Sequence, residues 1–190
     1  MIIVIKEEEG FKVGLSVGDV SVNMHEEDLA HVDNIPFWKV KGETGVYAAC
    51  ARGTISADVL CAHPELLRGI RNMNDLVGRL PSIRAQLKEF DLINDDEYWD
   101  NDLILFLGNQ ALIINSYFNV NQIDYFEAFC TRAGQAMRAV LEATAGEDAE
   151  KRILKACKHY DAMRLVSHLP LVIYNTKTGK RKVYYEYPKL

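Results

Sequence analysis

The densest group of potential metal ligands in the chain is His25-Glu26-Glu27-Asp28 with His31 and Asp33. Its histidines are six residues apart. Zinc held on a helix needs an i, i+4 pair, and zinc fingers need closely paired ligands. That spacing fits neither, so the stretch reads as a solvated acidic loop. No metal or cofactor is expected, and His25 and His31 are the nearest approach to a ligand pair. Two Cys-X-His triplets, Cys61-Ala62-His63 and Cys157-Lys158-His159, put a thiol near an imidazole in sequence. Residues two apart on a helix point to different faces, so neither triplet is a ready nucleophile–base couple. Tyr98 and Trp99, inside the acidic stretch Asp95–Asp102, join aromatic area to charge as interface hot spots do. They serve either to dock a partner or to pack on their own domain.

Charge and composition narrow the classes. The 190 residues carry 22 basic and 27 acidic side chains, a net charge of −5, with a pI near 5.6. Nucleic acid is excluded as the main partner, because neutralising phosphates requires a basic face. The basic tract Lys177–Lys182 reads as a solvated hairpin turn. A hydrophobic content of 48% with 26% charged residues is that of a globular chain, expected here as a single domain over residues 1–190. The four cysteines, Cys50, Cys61, Cys130 and Cys157, lack CxxC spacing and are expected as buried thiols of a cytoplasmic protein. The opening MIIVIKEEEG is too short an apolar run for a signal peptide, and no stretch reaches the length of a membrane span.

The elements that must position these groups follow from periodicity. Ile2–Ile5 and the alternating Phe11, Val13, Leu15 and Val17 predict an opening hairpin. Phe37–Val40 and Val46–Ala51 predict a second strand pair, while residues 24–35 are polar and irregular. Ser56 is the expected cap of a helix that Pro64 interrupts, and Asn74 the expected cap of the next, whose face is Leu76, Leu80, Ile83, Leu87 and Phe90, with a kink at Pro81. Leu103–Leu107 and Ala111–Ile114 are strands. Ala136, Met137, Val140 and Leu141 mark a third helix that Gly146 ends, and Ile153, Ala156, Cys157 and Tyr160 a fourth. Leu171–Tyr174 and Lys182–Tyr187 form a terminal hairpin. The order of strands, helix pair, strands, helix pair, strands indicates an α+β layered domain. Strands such as VYAACA and LILFL, apolar on both faces, require cover on both sides.

The first hairpin, with its second strand ending in Val17-Gly18-Asp19, resembles the start of proteasome-type N-terminal-nucleophile (Ntn) hydrolases. So does Tyr47-Ala48-Ala49-Cys50-Ala51-Arg52-Gly53-Thr54, followed by Ala57-Asp58 at the head of a helix. Element order extends the resemblance over nearly the whole chain, and the HslV-type peptidase subunit is the most similar member. The resemblance implies a four-layer αββα sandwich, with two facing, mainly antiparallel sheets between helix pairs. It also implies a homo-oligomer, such as a ring, assembled through the outer helices, with an ATPase or other protein partner left unidentified.

In that family an N-terminal Thr, Ser or Cys supplies the nucleophile and its own α-amine the general base. Here the chain opens with Met1, Ile2 and Ile3, and a bulky Ile2 disfavours removal of Met1. Asp19 matches the acid that ends the second strand. The family's lysine on the third strand has no match, since no Lys or Arg lies between Val13 and Trp38. Its aligned position falls near Asn34, and Lys39 comes about a strand's length later. Thr131, in Cys130-Thr131-Arg132, sits where the family has a Gly-Ser-Gly loop. Asp161 sits where it keeps another supporting acid, the alternative being a surface residue after a helix. Asp19, Asn34, Thr131 and Asp161 are therefore the candidate relics of a catalytic site.

Cleavage before Thr54 or Thr44 would create a new N-terminal threonine but discard the opening hairpin and part of the second strand pair; Gly53-Thr54 reads instead as a helix cap. The resemblance thus implies a non-catalytic, self-assembling or partner-binding subunit. The alternatives are an amide-bond hydrolase, peptidase or amidase, with a non-standard nucleophile, or a different α+β fold with a small-molecule pocket. If Asp19 is a relic and bears no structural load, Asp19→Asn leaves the melting temperature unchanged in a thermal scan; a drop of several degrees would contradict it.

Overall fold

A row of β-branched residues makes the first strand, β1 (Ile2–Lys6), and a turn at Gly10 returns the chain as β2 (Phe11–Leu15). Gly10 has φ +83°, and a Cβ there would lie 2.9 Å from Thr176 Oγ1, so glycine is required. The structure, a computed structural model, describes residues 1–16, 20–21, 35–51, 55–129, 134–164 and 166–189, with residues 20, 21 and 166 as backbone. They form two compact units, residues 1–35 with 125–190 and residues 36–124.

In the first unit, β1 pairs antiparallel with β2 and with β9 (Phe126–Phe129). Strands β11 (Leu171–Asn175) and β12 (Arg181–Tyr184) extend the sheet from β2, giving the order β12-β11-β2-β1-β9. A separate ladder joins β3 (Val20–Ser21) to β10 (Val166–Ser167). Ile3 opposite Gly14 and Gly14 opposite Ile173 place these residues on one face of the sheet. On that face lie helices α3 (Gly134–Ala143) and α4 (Ala149–Arg164), which contribute Met137, Leu141, Ile153 and Cys157 to a shared core. Asp148 caps α4, its Oδ1 accepting from Lys151 N at 3.1 Å. The opposite face, with Ile2, Val4, Val13 and Leu15, is equally buried.

The second unit has the sheet order β4-β5-β6-β7-β8, all antiparallel. Its strands are β4 (Phe37–Lys39), β5 (Val46–Cys50), β6 (Leu103–Leu107), β7 (Gln110–Ile114) and β8 (Val120–Gln122). Helices α1 (Ile55–Ala62) and α2 (Met73–Glu89) cover one face through Leu60, Leu76, Ile83 and Leu87. Ala48, Leu105 and Leu112 are in register across β5, β6 and β7 and point into that core. The expected α+β order of strands and helix pairs is therefore the observed one, with two antiparallel five-stranded sheets and four α-helices among the described residues.

Several expectations are corrected. Ser56 lies inside α1 and is buried; its Oγ accepts from Trp99 Nε1 at 3.0 Å, so it serves the core and does not cap. The cap of α2 is Asn72, whose extended backbone lets Oδ1 accept from Asp75 N at 3.0 Å, while Asn74 is already helical. Pro81 stands inside α2 opposite no amide of its own, beside a Val77 that is 49% exposed, where water can serve the released carbonyl. Trp99 is 1% exposed and stacks on Phe118 at 5.8 Å, so of the two alternatives for that loop it takes packing on its own domain. Cys50 and Cys157 are buried thiols as expected, Cys61 is exposed, and Cys130 lies outside the described residues. Strands β8 and β9 were not anticipated, because both are short and mix polar residues into their pattern. Among the described residues no helix is long and apolar enough to cross a membrane.

Leu105→Ala should lower the unfolding free energy by about 2–5 kcal/mol, as a truncation in a covered strand does. Urea denaturation measures it, and a near-neutral effect would contradict the burial of β6 on this face.

Candidate functional site

Helix α4 sets the geometry of a cluster in which several chemistry-bearing side chains meet. At Gly14 a Cβ would lie 2.5 Å from Ile153 Cγ2, so the missing side chain lets α4 approach β2. One turn past Ile153, Cys157 turns to the start of β1, its Sγ 3.7 Å from the Met1 thioether sulfur. Met1 is itself buried, and its backbone nitrogen donates to Ser16 O at 3.2 Å. One turn further, Asp161 is 8% exposed and acts as an acceptor hub. Its Oδ2 accepts from the backbone nitrogen of His168 at 2.9 Å and also from the Tyr187 hydroxyl. Its Oδ1 is hydrogen-bonded to His168 Nδ1. His168 is fully buried, with its ring 5.6 Å from that of Tyr160.

Burial, then the Cys157 thiol and the Asp161 carboxylate, hold the Tyr187 phenol well above its ordinary pKa, so it remains a proton donor. The chemistry of the cluster is that of a buried carboxylate largely occupied by neighbouring donors. A carboxylate offers about four acceptor positions, and three donors already address this one.

Of the candidate relics of a catalytic site, only Asp161 falls in this cluster; Cys157, of the second Cys-X-His triplet, lies one turn before it. It belongs to α4 and is buried, so it is not a surface residue following the helix. Asp19, Asn34, Thr131, His25 and His31 lie outside the described residues, as does Thr54. Thr44 is exposed in the β4–β5 turn, where it borders a cavity of about 510 Å³ with Glu43, Ile70 and Arg71. There Glu43 accepts from Gly69 N at 2.8 Å and pairs with Arg71 at 3.0 Å, an internal clamp. Among the described residues no group of three or more His, Cys, Asp or Glu side chains is placed to hold a metal.

His168 and Tyr187 were missed by the sequence reading. The signal that could have found them is the spacing of Asp161, which follows Ile153 and Cys157 at i+8 and i+4 and so continues the buried face of α4. A carboxylate on such a face must find donors.

The two antiparallel sheets with their helix pairs have the architecture of a proteasome-like Ntn fold. Solved structures of that fold match along nearly the full chain. BPH from Thiobacillus denitrificans has a TM-score of 0.67 at 14% identity, covering 99% of this chain and 98% of its own. It has also been solved in complex with epoxomicin. Anbu, an ancestral beta-subunit from Yersinia bercovieri, has a TM-score of 0.66 at 11% identity, covering 98% of this chain and 88% of its own. The eukaryotic HslV from Trypanosoma brucei has a TM-score of 0.56 at 18% identity, covering 97% and 99%. No protein-family profile and no curated protein matches the sequence. The likeness therefore shows the fold, and it supports a divergent member of the group that the sequence resembles.

Asp161→Ala leaves His168 N, His168 Nδ1 and the Tyr187 hydroxyl without their acceptor. At about 1–3 kcal/mol for each orphaned buried group, the expected loss is at least about 2 kcal/mol by urea denaturation. An unchanged midpoint would show that the hub carries no load.

Proposed function

We propose that this protein is a proteasome/HslV-like subunit that has lost threonine-type peptide hydrolysis and works by assembling with copies of itself or by binding a partner protein. The observation that carries the reading is Met1. At the head of β1, where the resemblance puts the nucleophile, stands a methionine whose thioether is packed into the core against Cys157. A thioether has no proton to give up and cannot serve as the attacking group. Asp161 supports the same reading, because its acceptor positions are taken up by His168 and Tyr187. The absence of any Lys or Arg between Val13 and Trp38 supports it as well. A role as a subunit is supported by Anbu, a beta-subunit of the same fold.

Native mass spectrometry of the purified protein, with and without epoxomicin, tests both halves. The expected result is a protomer that retains Met1, an assembly heavier than the 21.5 kDa monomer, and no mass added by the inhibitor. A fluorogenic peptide should not be turned over. A protomer shortened to begin at Ser, Thr or Cys, or an inhibitor adduct, would make this an active hydrolase. A monomer at micromolar concentration would remove the self-assembling role.

A further inference from the structure

We infer that residues 185–189 form a strap, held closed over Cys157 and Asp161 by Tyr187, whose release opens this face of the first unit to solutes. Strand β12 ends at Tyr184, and the residues beyond it belong to no ladder. Along the segment Tyr185 is 70% exposed, and Glu186 and Lys189 face solvent. Tyr187 alone reaches inward with a polar group. Its ring packs on the cluster that holds Met1, Cys157 and Tyr160, and its hydroxyl donates to Asp161. Pro188 beside it is half-buried and, as proline, brings no amide donor of its own.

A segment tied by one aromatic ring and one hydrogen bond opens at far lower free energy than the whole unit. What it covers is chemically distinctive: a fully buried thiol and, one helical turn on, a buried carboxylate. Closed, the strap keeps the Cys157 thiol from electrophiles and oxidants; open, it presents thiol and carboxylate together. The inference stands independently of whether the protomer assembles.

Iodoacetamide reports the opening directly. The Cys157 thiol loses its proton to solvent, the thiolate so formed displaces iodide from the reagent to give a thioether and iodide, and peptide mapping locates the label. Cys50, fully buried in the second unit with its thiol pKa raised by burial and then by the Asp102 and Asp58 charges, is the internal control. In native buffer Tyr187→Ala should raise the Cys157 labelling rate at least tenfold and leave Cys50 unchanged. Tyr187→Phe, which keeps the ring and loses the donor, should give a smaller rise. In the unaltered protein the Cys157 rate should be nearly insensitive to sub-denaturing urea, because local opening exposes little surface. Equal Cys157 rates in all three proteins would overturn the strap. So would a rise of Cys50 in step with Cys157, or a steep urea dependence in the unaltered protein, since either means that Cys157 is reached by global unfolding.

Discussion

The first unit depends on the contact of Ile153 with the bare backbone of Gly14. Because β2 offers no side chain there, α4 can sit close to the sheet, and every later residue of its buried face is fixed by helical spacing. Cys157 then falls on Met1, and Asp161 falls where the chain returns through His168 and Tyr187. Packing in this unit thus runs from a local absence on a strand to a hydrogen-bonded hub two turns along a helix. A larger residue at position 14 would displace all of these contacts together.

Each unit buries a polar arrangement whose partners lie within the same unit. In the second unit Trp99 brings its indole nitrogen to Ser56 Oγ, which lets a large aromatic be almost wholly buried. In the first unit Asp161 takes donors from the segment that follows α4 and from the segment that follows β12. The two arrangements differ in what they constrain. The Trp99–Ser56 bond fixes a loop on a helix, whereas the Asp161 hub ties chain segments that share no strand ladder with α4. An unsatisfied partner in either place costs more than the bond itself contributes, so each pair also specifies a unique packing.

Much of this was legible in the sequence, and the failures have physical reasons. The β1–β2 hairpin, the β5 and β6 runs and the buried face of α4 carry strong periodicity, and their burial follows it. Cap assignment missed by two residues at α2, because Asn72 and Asn74 have the same chemistry and only backbone conformation separates them. Ser56 was misread because a hydroxyl near a helix start is a good cap by composition, while its true partner, Trp99, is distant in sequence. Strands β8 and β9 escaped because short strands of mixed polarity hold their place through ladder bonds, which leave little trace in side-chain pattern. His168 and Tyr187 gave no signal by themselves. Their roles arise from where Asp161 points, and that long-range pairing is set by the fold.

The proposed loss of chemistry also bears on why the fold can persist without it. An active site keeps polar, reactive groups partly unsatisfied and open to substrate, at a cost in stability. Here the head of β1 is filled by a thioether among apolar side chains, and the nearby carboxylate is surrounded by donors. On the proposed reading, each would be a group that once waited for substrate and now holds the protein together. A subunit built this way has its interior committed to stability, and what it offers to other molecules is its surface.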